Sequence, residues 1–181
     1  MESKLTYYSL FSRLKFVTRF SGENLIQPER LESHILEMIG LSMDLWYKFK
    51  DFDLNKSIYL ICIHDIDETV TVDIPRPFKY FSDKFRKLLN KTTHDYLVSE
   101  GFDEEFVNDV QSAKSQGKEG KIVSLVDIYQ VVKKLKREVA LGNSLAKYKL
   151  TESNRYLNEM ISKNSDLKNY LQYLDSIDEL N

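Results

Sequence analysis

Little in this chain staples or interrupts it. A single cysteine, Cys62, cannot form an intramolecular disulfide, and its position inside the apolar run before His64 makes a buried, reduced thiol the expectation. Three prolines and six glycines in 181 residues leave few breaks. No segment approaches the ~18 consecutive apolar residues that a membrane span needs. The opening MESKLTYYSL lacks the basic and apolar regions of a secretion signal, so a cytoplasmic protein with no membrane partner is expected. A net charge of -2 gives no global attraction to nucleic acid. The one basic cluster, Lys133, Lys134, Lys136 and Arg137, is interrupted by Glu138 on a helix that needs a solvated face, so no nucleic-acid partner is expected. There is no Walker A sequence, no G-x-G-x-x-G and no Ser-His-Asp set near a core.

What is present is ordinary globular material, 42% hydrophobic and 30% charged, of a length that fits one domain over residues 1–181. The periodicity is mostly helical. Leu10, Leu14, Val17 and Phe20 suggest a first helix over 4–20, ended by Ser21-Gly22. A second runs from Pro28 to about Lys50, and a third starts at Asp53, a good N-cap, and ends at His64. The prolines and clustered acids of 66–77 indicate a loop, although Thr69 to Val72 have strand propensity. Helical pattern resumes over 78–99 and 103–115, and GKEGK reads as a linker. A long helix over 122–141 stops at Gly142-Asn143, and 144–162 and 165–179 supply two more. The expected class is all-α.

Within that pattern, Ile58 to Phe81 (IYLICIHDIDETVTVDIPRPFKYF) begins as a run apolar enough to be buried. It then delivers His64, Asp65, Asp67, Glu68 and Asp73 in quick succession. Ionisable groups leaving a buried segment are costly unless compensated, and a divalent metal compensates both imidazole and carboxylate. On its helix His34 shares a face with Leu31, Met38 and Leu41. His64 follows Leu60 and Ile61, and Asp127 lies between Val123 and Val131. Each has a plainer alternative: an inward histidine can be a satisfied core residue, and an inward aspartate can be paired with lysine or arginine. Together, two imidazoles and two carboxylates from three helices suit a borderline or hard divalent ion.

The order His, then His-Asp, then Asp on separate helices resembles the HD-domain metal phosphohydrolases. HDIDETVTVDIPRPFKYF is similar to the corresponding segment of the YfbR-like 5′-deoxynucleotidases. SRLKFVTRF and VDIYQVVKKLKREVALGN resemble two further family segments, and the similarity covers about residues 5–150. His94-Asp95 is a second HD dipeptide, but it sits in a polar context without partners, and three histidines in all do not suffice for a dinuclear site. The resemblance implies a compact HD-domain bundle of six to eight helices. It also implies one divalent metal (Mn, Co or Mg, with Zn possible as bound) held by His34, His64, Asp65 and Asp127.

On the same resemblance Glu68 corresponds to the catalytic acid, Asp73 to a second essential carboxylate near sugar and phosphate, and Arg19 to the substrate-binding arginine. Arg76 and Lys79 are further cations for the phosphate. Three departures stand out. Phe20 replaces a tryptophan associated with preference for deoxyribose, Ser33 separates Glu32 from His34, and Arg76 takes the place of a common threonine. The implied activity is removal of phosphate from (deoxy)nucleoside 5′-monophosphates, a small-molecule substrate, by a homodimer. The alternatives are a deoxynucleoside triphosphohydrolase of the same family and a non-catalytic HD module that binds a nucleotide.

Overall fold

The structure is a computed structural model that describes residues 5–79 and 81–178, without the side chains of Arg76 and Pro77. Its order is α1 (Tyr7–Ser12), a 3-10 turn at Leu14–Phe16, β1 (Thr18–Arg19), β2 (Glu29–Arg30), α2 (Leu31–Phe49) and α3 (Leu54–Ile63). Two four-residue turns follow, α4 (Glu68–Thr71) and α5 (Arg76–Lys79). Then come α6 (Asp83–Ser99), α7 (Glu104–Ser112), a 3-10 turn at Ala113–Ser115, α8 (Gly117–Ala140), α9 (Ala146–Lys163), a 3-10 turn at Ser165–Leu167 and α10 (Lys168–Asp178). Leaving aside the two single-turn segments, the described residues form the all-α bundle of eight helices that the periodicity and the resemblance indicate. No helix among them is long and apolar enough to cross a membrane.

The middle of α8 is the axis of the core. Ile122, Val123, Leu125 and Val126 are fully buried, and the helix packs against α2, α3 and α9. Its end is a Schellman motif: Gly142 takes φ 97°, its N–H donates to Val139 O, and Asn143 N–H donates to Glu138 O. Asp53 caps α3 through a hydrogen bond from Lys56 N–H, as the sequence suggests, and His64 stands at the other end of that helix.

Several boundaries differ from the sequence expectation: α2 starts at Leu31 rather than Pro28 because Glu29 and Arg30 are taken into β2, and the 66–77 loop contains the single turn α4 and the start of α5. The first helix is broken after Ser12, because Thr18 and Arg19 leave the helical path to pair antiparallel with Arg30 and Glu29. Leu10, Leu14 and Val17 remain buried, so the apolar spacing marks the core positions correctly while tertiary pairing decides the backbone. The expected 78–99 helix is divided, with Ser82 capping a fresh start for α6. GKEGK is not a linker but the first turn of α8. A β-carbon on Gly120 would lie 2.8 Å from Ala113 O and 3.1 Å from the carbonyl carbons of Lys114 and Ser115. The glycine lets the Lys114 turn press directly against α8. Cys62 is half-buried rather than buried, and positions 179–181 lie outside the described residues.

Candidate metal centre and substrate cleft

His34 on α2 and His64 at the end of α3 meet with ring centroids 5.7 Å apart. His64 Nδ1 lies 2.7 Å from Ile61 O. A carbonyl only accepts, so Nδ1 carries the proton and Nε2 presents a lone pair. The same logic reaches His34 through two residues. Gln130 Nε2 donates to Glu29 Oε1 at 2.7 Å, which turns Gln130 Oε1 toward His34 Nδ1, also at 2.7 Å. His34 is therefore protonated at Nδ1 as well. Both Nε2 atoms are buried, and neither has a hydrogen-bond partner among the described residues. Burial first and Arg19 second push His34 down to about 4, so the imidazole is neutral at ordinary pH.

Two carboxylates face these lone pairs. Asp65 Oδ2 lies 3.0 Å from His64 Nε2, and Asp127 Oδ1 lies 3.1 Å from His34 Nε2. His34, His64 and Asp65 each bring a ligand atom to within 4.8 Å of the others. The donor set fits a divalent ion: two orphaned imidazole nitrogens, each oriented by a hydrogen bond from its other nitrogen, next to two ionised carboxylates. Burial opposes ionisation of both aspartates. Lys114 and Arg19 nevertheless hold Asp65 well below the ordinary carboxylate range, and Lys114 does the same for Asp127.

The cations around this centre are set by the small sheet and by the Lys114 turn. Arg19 is buried. Its Nε lies 3.4 Å from Glu29, its cross-strand partner, and its NH1 lies 3.2 Å from Asp65 Oδ2. Lys114 Nζ sits 2.7 Å from Asp127 and 3.4 Å from Asp65. Arg19, Asp65, Lys114 and Asp127 line a cleft of about 220 Å³ together with Phe20, Glu68, Asp73 and Lys79 and the less polar Ile128, Val131 and Tyr156. Glu68 is buried, with Lys79 Nζ 3.9 Å away. Its carboxyl is pushed up to about 9 by burial and by Asp65 and Asp73, against the pull of Arg19 and Lys79. Asp73 accepts a 2.6 Å hydrogen bond from the Phe20 amide, which draws the two loops together over the cleft. Phe20 and Val72 both take positive φ, 56° and 60°, and for a β-branched, exposed valine that is a strained backbone beside the site.

Of the residues singled out from the sequence, His34, His64, Asp65, Asp127, Glu68, Asp73, Arg19, Phe20 and Lys79 share this one centre and cleft. Arg76 has its backbone in α5, and its side chain lies outside the described residues. His94 stands apart on α6, 2.9 Å from Glu104. Within the basic cluster of α8, Lys133 pairs with Asp178 and Arg137 with Glu37, while Lys134 is buried.

Lys114, Gln130 and Glu29 escape the sequence argument, as does the buried set Lys134, Glu138 and Asn143. Glu138 accepts from the Ile26 and Gln27 amides, Lys134 donates to Gln27 O, and Asn143 donates to Asn24 O. This set anchors the loop between Arg19 and Glu29. Helical spacing carries its signal, since Asp127, Lys134 and Glu138 fall at i, i+7 and i+11 on one stripe.

A helical bundle that brings two buried imidazoles and two carboxylates to a cation-lined cleft has the make-up of an HD-domain metal phosphohydrolase. The sequence model of the family described as 5′-deoxynucleotidase YfbR-like matches residues 6–176, and the chain belongs to that family. It is 27% identical over 158 residues to 5′-deoxynucleotidase VP0926 of Vibrio parahaemolyticus serotype O3:K6, covering 80% of this chain and 81% of the relative. Among solved structures it shares its fold with the cyanophage S-2L HD phosphohydrolase DatZ, determined with dA and one catalytic Zn2+ ion. The TM-score is 0.77 at 14% identity, over 97% of this chain and 99% of that one. PH0347 of Pyrococcus horikoshii OT3 has a TM-score of 0.71 at 23% identity, over 95% and 96% of the two chains.

Proposed function

We propose that this protein is a metal-dependent phosphohydrolase that removes the phosphate of (deoxy)nucleoside 5′-monophosphates. The observation that carries this is the pair of buried Nε2 atoms on His34 and His64, freed by the hydrogen bonds of their Nδ1 atoms and grouped with Asp65, which lines a cleft of nucleoside size. Family membership and the 5′-deoxynucleotidase relatives support the substrate class.

His34, His64, Asp65 and Asp127 would hold one divalent ion, which supplies Lewis acidity toward a phosphate oxygen and lowers the pKa of the attacking water. Arg19 and Lys79, together with Lys114, neutralise the phosphate; Arg19 is preset for this by Glu29. Water attacks phosphorus and the bond to O5′ breaks. Glu68, buried and protonated, donates its proton to the departing O5′. Asp73 spends one oxygen on the Phe20 amide and keeps the other for the sugar, against which the Phe20 ring closes. The protein is further proposed to be a one-domain cytoplasmic homodimer working with Mn, Co or Mg.

The test is phosphate release from all common ribo- and deoxyribonucleoside monophosphates with Mn, Co, Mg and Zn, alongside Glu68→Gln. Turnover with a deoxyribonucleotide that falls at least ~100-fold in Glu68→Gln is expected. Metal binding without turnover on any nucleotide would leave a non-catalytic module.

A further inference from the structure

The cleft extends past the groups that handle phosphate and sugar. From Asp127, α8 carries Ile128 and Val131 along the wall, and the loop between Arg19 and Glu29 runs the same way. That loop is tied down far from the metal centre. Glu138, which accepts from the Ile26 and Gln27 amides, stands about three turns beyond Asp127, ~16 Å along the helix axis. Asn143, which donates to Asn24 O, stands farther still. Glu23 therefore falls between Arg19 at the centre and the Asn24 anchor, and it lines the cleft. The turn that carries it is closed by its own N–H, which donates to Phe20 O. Opposite the loop, α9 brings Lys149, Ser153 and Tyr156 to the same cleft, spaced i, i+4 and i+7 on one face. Lys149 Nζ lies 3.1 Å from Glu23 Oε1.

Ile74, Pro75, Ile128 and Val131 give this cleft an apolar lining suited to the faces of a flat ring. Gly22 adds no side chain to it, and a β-carbon there would already lie 3.5 Å from Pro75 Cγ. The polar groups of the α9 side are few. Ser153 is 8% exposed, and its hydroxyl makes no hydrogen bond to the described residues. A buried hydroxyl without a partner is costly, so its place on the cleft wall calls for a ligand. Glu23 and Lys149 are both partly exposed, and such a pair contributes little by itself, so each can turn a polar atom to an incoming group. One carboxylate, one ammonium and one free hydroxyl at the side of an apolar slot describe a reader of a ring's edge.

We propose that Glu23, Lys149 and Ser153 read the base of the nucleotide and select guanine, an inference that rests on the phosphohydrolase assignment above. With the phosphate at the metal centre and the sugar at Phe20 and Asp73, the base extends along Ile128 and Val131. Its Watson–Crick edge then meets Glu23 and Lys149. A carboxylate only accepts hydrogen bonds and an ammonium only donates them. Guanine sets two adjacent donors, N1–H and the 2-amino group, beside one acceptor, O6. The donors match the two oxygens of Glu23 in a bidentate, charge-assisted pair, and O6 accepts from Lys149. Ser153, one turn along α9 from Lys149, adds a donor on the O6 side. Adenine and cytosine each offer a single amino group, and thymine a single N–H between two carbonyls. Each of these leaves one oxygen of Glu23 unmatched.

The experiment measures kcat/KM for dGMP, dAMP, dCMP and dTMP, and for dIMP, which is dGMP without its 2-amino group. Calorimetry with deoxyguanosine and deoxyadenosine reads base recognition apart from turnover. dGMP should exceed dAMP by ~10-fold or more with dIMP in between, and deoxyguanosine should bind more tightly than deoxyadenosine by a similar factor. Glu23→Gln sets an amide donor against the donors of guanine and should cut the dGMP-to-dAMP ratio of kcat/KM by ~10-fold. Lys149→Met removes the donor to O6 and should independently lower the same ratio by ~5-fold. Equal kcat/KM across the bases, a preference for another base, or a ratio unmoved in Glu23→Gln overturns the base reading and leaves the phosphohydrolase standing. Hydrolysis of none of the five nucleotides overturns the assignment on which it rests.

Discussion

Phe20 and Asp73, 53 positions apart, are joined by a hydrogen bond of 2.6 Å from the amide of one to the carboxylate of the other. Ser21 Oγ reinforces it by donating to Asp73 O at 2.8 Å. Both loops carry strained backbone at this junction, with Phe20 at φ 56° and Val72 at φ 60°. The strain persists because the link holds it, which makes Asp73 an anchor as well as a group facing the substrate. Asp73→Ala should lower kcat/KM by ~100-fold, through lost positioning. Asp73→Asn keeps an accepting oxygen for the Phe20 amide and should recover part of the loss. Equal activity in the two variants would show that the charge, not the anchor, matters.

The tautomers of the two histidines make a prediction about metal affinity. Gln130→Leu leaves His34 Nδ1 and Glu29 Oε1 without their partner. Isothermal titration with Co or Zn should show affinity lowered ~10–100-fold. In the unaltered protein, metal at ~100 times its dissociation constant should add ~2.7 kcal/mol of stability over the chelated form. A melting temperature indifferent to metal would rule the centre out.

Glu68 should leave a signature in the metal-free protein. Its folded pKa is raised to about 9 while an unfolded glutamate titrates near 4.5. Between these values the folded chain holds a proton that the unfolded chain has lost. The contribution of Glu68 is therefore fully present below 4.5 and fades as pH rises toward 9. Glu68→Gln removes this dependence, so in chelator the variant should gain stability over the parent at pH 8 and not at pH ~4. Urea melts at the two pH values decide it, and parallel profiles would contradict the burial of this carboxyl.

Gly120 offers a test of the close approach that places Lys114. Helix propensity alone favours alanine over glycine by ~1 kcal/mol. A methyl group here would meet Ala113 O at 2.8 Å, and backbone cannot step aside as a side chain can. Gly120→Ala should thus destabilise by ~1–3 kcal/mol. A gain in stability would mean that the turn does not press on α8.

What the sequence determined by itself is the set of residues whose chemistry and spacing conflict with their surroundings. His34 and Asp127 sit on apolar helical stripes, and His64-Asp65 closes an apolar run; those conflicts are local and need no fold to be seen. The C-terminal stop of α8 at Gly142-Asn143 was legible for the same reason, since the left-handed turn there is a local demand. Tertiary structure alone decided which groups compensate them. Gln130 is an unremarkable polar residue until α8 brings it to His34 across 96 positions of chain and to Glu29 across 101. Lys114 was hidden in what read as the end of a helix before a linker, because only the contact at Gly120 turns it toward Asp65 and Asp127. Strand pairing likewise overrode the helical periodicity of 4–20, since the hydrogen bonds of β1 come from a partner that local spacing cannot specify.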